Sequence, residues 1–412
     1  MLSTPIKTYQ LLFGIVLLEI ICHTLFINIG LEEFISMSYL FAGIAIGIMP
    51  FLKTKDQSIK WVNQIFDFKL ITPIAFSLFL TTIVFAFIKS YLHFQSHPLD
   101  YTQADMLPII QIMCNRLING EAVYTIIPEI WDGMTPIYLP AMWFPYIPSV
   151  LFDFDPRWIS LIALFASAGL VVSLAKNHLS KQLKALVYLS ISTLLLGIMI
   201  GDFSLIRHTE EPVVIFYYTL LGYAILNQNK TLLIIALSLC FLSRYALIFW
   251  AIMYAIYYFF KIDKKEAIKI FIGTAILSAL IMWFFEGFEN LDVFIGLKDN
   301  YIEALPENKW KYRPLINDGL GIAKFFTYES LSTLHSLHFY SAIIIPLFLL
   351  MIGLKNKTII NHRLFGWASL KLSLVFFFNL LIIPYAYLFY SSTILSLLFL
   401  VDYLNKQSNV EE

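Results

Sequence analysis

Asp105, Asp202, His208, Glu210, Glu211 and Arg244 are the residues whose types and settings could do chemistry. Asp105 starts the run QADMLPIIQIMCNRLI, Gln103 to Ile118, just beyond a long apolar stretch. A carboxylate at such a water–lipid boundary can take a proton from a hydroxyl. Aspartate is equally a favoured helix N-cap, so the same residue has a plain structural use. Asp100 is the reserve carboxylate, and otherwise reads as a solvated loop residue. Asp202, Arg207, His208, Glu210 and Glu211 crowd one short connection ahead of Pro212. They could orient an acceptor group or share a divalent cation with Asp105. Alternatively, the two glutamates only complement the positive end of the next helix. Arg244 lies inside an apolar stretch, where a lone charge costs at least about 2.5–3.5 kcal/mol. Its guanidinium could fork onto phosphate oxygens or pair with Asp202 or Glu210. No ligand spacing demands a metal and no cofactor is indicated.

The elements that must carry these residues are membrane helices. The chain has 412 residues, 59% hydrophobic and 14% charged, with a mean hydropathy of +0.75. A soluble domain carries about a quarter charged residues, so this surface could not face water all round. Runs 9–29, 70–92, 157–175, 338–354 and 385–403 approach or exceed the roughly 17–25 residues that cross a bilayer. Lysine plus arginine equals aspartate plus glutamate, 28 each, so net charge points to no nucleic-acid partner. Cys22, Cys114 and Cys240 are scattered and make neither a disulfide framework nor a metal-ligand spacing. No cleavable signal is apparent, and 9–29 reads as a retained first helix.

Basic connections at 53–69, 176–184, 261–269 and 355–363 read as cytoplasmic, and the acidic or mixed ones between them as external. This parity closes if 231–260 enters and returns on one side, with Ser243-Arg244-Tyr245 as the turn of a short hairpin. A single tilted helix would put Lys261–Lys269 outside. The sequence therefore predicts an all-α polytopic membrane domain over 1–412, with roughly 11–13 transmembrane helices. Its parts are N-terminal helices 9–92, an external loop 93–156, central helices 157–285, a second large external loop 286–337 and C-terminal helices 338–404. Both termini would be cytoplasmic, and richness in Ile, Phe, Lys and Asn suits a bacterial inner membrane. Within the first loop, Met106, Ile109, Ile110, Met113 and Leu117 share one helical face. A helix lying flat with that stripe in the lipid is expected.

The order Asp105, amphipathic helix, Gly120-Glu-Ala-Val-Tyr124, then Thr135-Pro-Ile-Tyr-Leu-Pro140 leading into a membrane helix resembles the GT-C class of membrane glycosyltransferases. Gly201-Asp-Phe-Ser204 and Leu242-Ser-Arg-Tyr245 extend the resemblance, which covers roughly residues 70–260. The motifs are degenerate, and their order carries the likeness. Two apolar helices precede the one matching the family's first, and Arg244 lacks the proline that often follows. The resemblance implies transfer of a sugar, a hexose or pentose of mannose-like kind, from a polyprenyl-phosphate donor to an acceptor hydroxyl on the external face. The acceptor would be a glycan, lipid or protein. Asp105 would be the general base and Arg244 the donor-phosphate ligand, with Asp202, His208, Glu210 and Glu211 as acceptor or second-carboxylate candidates.

Other residues have plainer readings. Lys309-Trp-Lys-Tyr-Arg313 could meet an anionic headgroup or an acceptor sugar, with Arg313 as the candidate and Trp310 and Tyr312 as stacking rings. An interfacial aromatic belt would look the same. His335 and His338 fit interfacial packing, and Gly319-Leu-Gly321 is too weak to be a phosphate loop. Lys371 is expected to snorkel, and Glu19 to be helix-packed or snorkelling. Two rival functions remain. A lipid-linked solute transporter should show matching broken helices in two halves, and only 231–260 has that look. A polysaccharide ligase or polymerase would lean on the arginine and histidine of 286–335.

Overall fold

A computed structural model describes residues 8–24, 30–52, 71–130, 133–175, 179, 181–291, 307, 310, 319–355 and 361–408. Arg313, Tyr312 and the basic segment 53–69 lie outside these residues. Apart from one isolated bridge, Ile127 to Met134, the described chain is helical or irregular. The main helices are α1 (Thr8–Thr24), α2 (Glu32–Ile48), α3 (Ile71–Ser96), α4 (Met106–Asn119), α5 (Arg157–Leu174), α6 (Lys181–Gly201) and α7 (Glu211–Asn227). They continue as α8 (Lys230–Phe241), α9 (Ile248–Lys261), α10 (Lys264–Phe284), α11 (Leu331–Lys355), α12 (His362–Asn379) and α13 (Tyr390–Ser408). Among the described residues seven segments are long and apolar enough to cross a membrane: Glu32–Phe51, Ile71–Ser96, Arg157–Leu174, Leu183–Gly201, Lys264–Phe284, Tyr328–Lys355 and Ala386–Lys406. The chain is a multi-pass helical membrane protein.

Helix α7 is the axis of the bundle. Its sequence EPVVIFYYTLLGYAILN is apolar on every face, and nearly all of it is buried against α5, α8, α12 and α13. A helix without a polar face belongs inside. The outer helices differ: α3 keeps Val84, Phe87, Ile88 and Leu92 exposed, as a lipid-facing helix should.

Segment 230–261 forms the expected hairpin. Lys230, at the start of α8, pairs with Glu266 at the start of α10 at 2.9 Å. Ser238 donates to Thr274 O at 3.2 Å, so α8 runs parallel to α10. Helix α9 then returns to Lys261, and only Ile262 and Asp263 separate it from α10. Both ends of the hairpin therefore lie at one end of the bundle, and its tip, Leu242–Arg244, lies at the other. Its two arms each pack on α10.

Two expectations need correction. The apolar stripe of α4 does not face lipid. Ile109, Ile110 and Met113 are fully buried under the connection that follows, where Trp143 and Tyr146 are also sealed. Cys114 Sγ donates to Trp143 O at 3.5 Å. Burying each such side chain in protein stabilises by about 1.5–3 kcal/mol, and the aromatic-rich loop 120–151 supplies the cover. Lys371 does not snorkel either. It is fully buried and its ammonium meets Glu19 at 2.5 Å, with Ser392 O and Oγ each at 2.8 Å. A lysine in mid-helix, too far from either end to reach water, is held by a carboxylate from another helix.

Candidate functional site

The hairpin tip brings Arg244 to the N-terminus of α7. Its Nη2 donates to Glu210 Oε1 at 3.2 Å and to Glu211 Oε2. Of the two readings open to Arg244 from the sequence, phosphate ligand or partner of an acid, the pairing with Glu210 is present, and Glu211 joins it. Glu210 occupies the N-cap position and Glu211 the first turn of α7, so they also complement the helix dipole. The local chain path is fixed by Ala141 N, which donates to Leu242 O at 2.9 Å, and by Tyr217 OH, which donates to Ala141 O at 2.9 Å.

The triad is more than a closed ion pair. The carboxylate side chains are 1% and 0% exposed, while the Arg244 side chain is 24% exposed. Arg244 Nε, Glu210 Oε2 and Glu211 Oε1 are buried and have no hydrogen-bond partner among the described residues. Leaving a buried polar atom unpaired costs about 1–3 kcal/mol. One donor and two acceptors left over together suit a ligand rich in hydroxyl groups, each of which donates and accepts.

Asp105 belongs to this group. It sits at the N-cap position of α4, yet its side chain makes no capping hydrogen bond. Burial pushes the Glu210 carboxyl up, Arg244 pulls it down, and Asp105 adds to the upward push. Burial likewise raises the Tyr138 phenol well above its ordinary range, with Glu210 and Asp105 contributing. Asp105, Glu210 and Arg244 therefore share one electrostatic neighbourhood, walled by Tyr138, Tyr385 and Tyr387.

The GxxxY stretch builds that wall. Gly120 ends α4 at φ +70, a left-handed conformation that glycine adopts at little cost. The chain then turns back, and Arg116 holds Val123 O at 3.2 Å and Ile126 O at 2.9 Å. Tyr124 OH donates to Tyr138 O at 3.0 Å and accepts from Trp143 Nε1 at 3.0 Å. Tyr385 and Tyr387 come from the connection before α13, which segment 319–321 supports. A side chain at Gly319 would strike Pro384 O at 2.1 Å. Close packing, rather than phosphate binding, explains these two glycines.

The charges of 202–211, adjacent in sequence, separate into three places. Glu210 and Glu211 go to Arg244. Asp202 is buried, accepts from Ser204 Oγ, and lies beside Tyr390; burial raises its carboxyl and the Ser204 bond opposes that rise. Arg207 and His208 turn the other way, toward a shallow cleft that they line with Asp100, Gln103 and Arg157. Asp100 is exposed and accepts from Thr102 N at 2.9 Å and Thr102 Oγ1 at 2.7 Å, bonds that hold its carboxyl below the usual range. That is its solvated-loop reading.

Other candidates find apolar settings. Trp310 is buried in a small cluster with Ala323, Leu331, Leu334 and Ile382, away from an open stacking position. His338 packs edge-on to Phe377 with ring centroids 4.5 Å apart. Among the described residues no group of three or more histidines, cysteines or carboxylates is placed to hold a metal ion. Compared with known protein families, with characterised proteins and with solved structures, the chain matches none.

Proposed function

We propose that the chain is a membrane glycosyltransferase of GT-C-like architecture, its roughly 11–13 helices presenting the Asp105–Arg244 site on the external face of a bacterial inner membrane. Both termini would be cytoplasmic. The sugar leaves a polyprenyl phosphate and joins an acceptor hydroxyl on a glycan, lipid or protein. One observation carries this reading: a buried Arg244–Glu210–Glu211 triad with leftover donor and acceptor atoms, in the same neighbourhood as an Asp105 that does not cap its helix. The triad and its tyrosines hold sugar hydroxyls. Asp105 takes the acceptor proton as the acceptor oxygen bonds to the anomeric carbon and the donor phosphate departs.

Asp105→Asn removes the base at nearly constant shape. Transfer from a polyprenyl-phosphate sugar to a labelled acceptor extract should fall by about 10²–10⁴-fold. Undiminished transfer by this variant would overturn the proposal. Arg313→Ala separates the polysaccharide ligase reading: loss there, with Asp105→Asn intact, favours that class instead.

A further inference from the structure

Six basic groups gather at the Asp105 end of the bundle, on the side away from Arg244. Lys89 and His93 lie on α3 and His97 directly follows it, at i, i+4 spacing. Arg157 opens α5, and Arg207 and His208 end the short helix Ser204–His208. His93 and His97 stack at 4.2 Å, and the ammonium of Lys89 lies 4.6 Å from the ring centre of Phe203. Arg157 is buried on Phe94 at 4.4 Å. His93 lies in the combined field of His97, Arg207, Arg157 and His208.

The nearby acids are already engaged. Asp155 accepts from Arg157 Nε at 2.9 and 3.0 Å, and Asp100 is bonded by Thr102. Arg207 instead donates to a neutral partner, Gln103 Oε1. His93 Nε2 is buried with no hydrogen-bond partner among the described residues. Burial, with the two arginines adding to it, holds the His208 imidazole down at about 4, and the Asp100 carboxylate lines the same cleft.

We infer that this cluster is a binding subsite for the phosphate group of a membrane lipid, with Arg207 and His208 as its direct ligands. The row Val84, Ile88 and Leu92 is exposed on α3 beside the basic row, so an acyl or prenyl chain lying along α3 delivers its headgroup to the cleft. On the orientation proposed above, this end is external, where lysine and arginine are normally scarce; ordinary anchoring does not account for them. The triad at Arg244 carries two carboxylates for one cation and repels phosphate. The basic cluster attracts it through charge-assisted bonds. Gln103, which accepts from Arg207, lies two residues before Asp105, and this short stretch joins the two subsites. Assigning the lipid as the sugar donor rests on the glycosyltransferase reading; lipid-phosphate binding does not.

The test is binding of a long-chain polyprenyl phosphate to the full chain in phosphatidylcholine nanodiscs. Arg207→Ala and His208→Ala should each weaken binding about tenfold or more, with unchanged thermal unfolding, and Arg207→Lys should stay within about threefold of wild type. Wild-type affinity in both alanine variants overturns the subsite. Equal competition by inorganic phosphate, or equal binding to phosphatidylglycerol nanodiscs, overturns the polyprenyl-phosphate assignment. Loss of lipid binding in Arg207→Ala, with no sugar transfer by the wild-type chain from any polyprenyl-phosphate sugar, would keep the subsite and remove the transferase.

Discussion

Two of the ion pairs that join distant parts of this chain are built differently. Glu19 and Lys371 meet one to one, both at 0% exposure, and the ammonium is saturated by Ser392 as well. Arg244 faces two carboxylates, has a side chain that is partly exposed, and leaves donor and acceptor atoms without partners among the described residues. Charge balance and full burial make the first a structural link between α1, α12 and α13, even though Glu19 Oε2 has no partner among the described residues. Two acids around one cation and a side chain that is 24% exposed mark the second as a place for something else. A charge inside a membrane protein is a reason to look for function, and the closure around it decides whether function is there.

The sharpest way to break this contrast is Lys371→Met. Removing one partner strands the other charge, which costs about 3–5 kcal/mol; thermal unfolding in detergent should show it. The double variant Glu19→Gln with Lys371→Met should recover most of the loss, because neither side is then left ionised. If Lys371→Met unfolds like wild type, the sealed pair is not structural and the transporter reading, which needs a mobile intramembrane charge, gains ground.

Arg244→Lys asks the converse question at the open site. Lysine keeps the charge against Glu210 and Glu211 but gives up the planar set of N–H groups, including the unpaired Nε. Sugar transfer should fall by roughly 10–100-fold, about 1.4–2.8 kcal/mol of transition-state stabilisation. Stability should move less than in Lys371→Met. Full activity would mean that Arg244 serves only as a counter-charge, and the two pairs would then be alike.

Much of the scaffold was legible because membrane helices announce themselves by length and composition. The hairpin at 231–260 followed from charge parity together with the length of the span, and Lys230 beside Glu266 agrees with it. Asp105, Arg244, Glu210 and Glu211 were each visible as charges in costly places. Their assembly was half visible, since the pairing of Arg244 with Glu210 was one of two open choices. The separation of Asp202, Arg207 and His208 from the glutamates was not legible. Residues 202–211 turn through a short helix, and neighbours in sequence leave it in different directions. The wall residues Tyr385 and Tyr387 carried no local signal, because tyrosines near a helix end read as an interfacial belt. The α4 stripe misled for a related reason: an amphipathic face is the same against lipid or against a loop, and only the aromatic content of 138–146 could have chosen between them. Lys89, His93 and His97 carry a usable signal, a basic row at an end assigned as external.

Tyr124→Phe sharpens the contrast with the smallest expected effect. The phenol oxygen links Trp143 to the backbone of Tyr138, so its loss leaves Trp143 Nε1 and Tyr138 O each short of a bond. About 1 kcal/mol of stability should go, read as a modest drop in the unfolding midpoint. The consequence for function should exceed that for stability, because Tyr138 faces Glu210 and Asp105, and a wall that shifts loosens whatever hydroxyls rest on it. The expected signature is a raised KM for the sugar donor with kcat nearly kept, since binding made equally in ground and transition states affects KM alone. The Glu19–Lys371 pair, with no contact to this loop, should tolerate the change, so the rescue seen in the Glu19→Gln, Lys371→Met double variant should be the same with or without Tyr124→Phe. Coupling between them larger than about 0.5 kcal/mol would show that the sealed and the open pair belong to one cooperative unit after all.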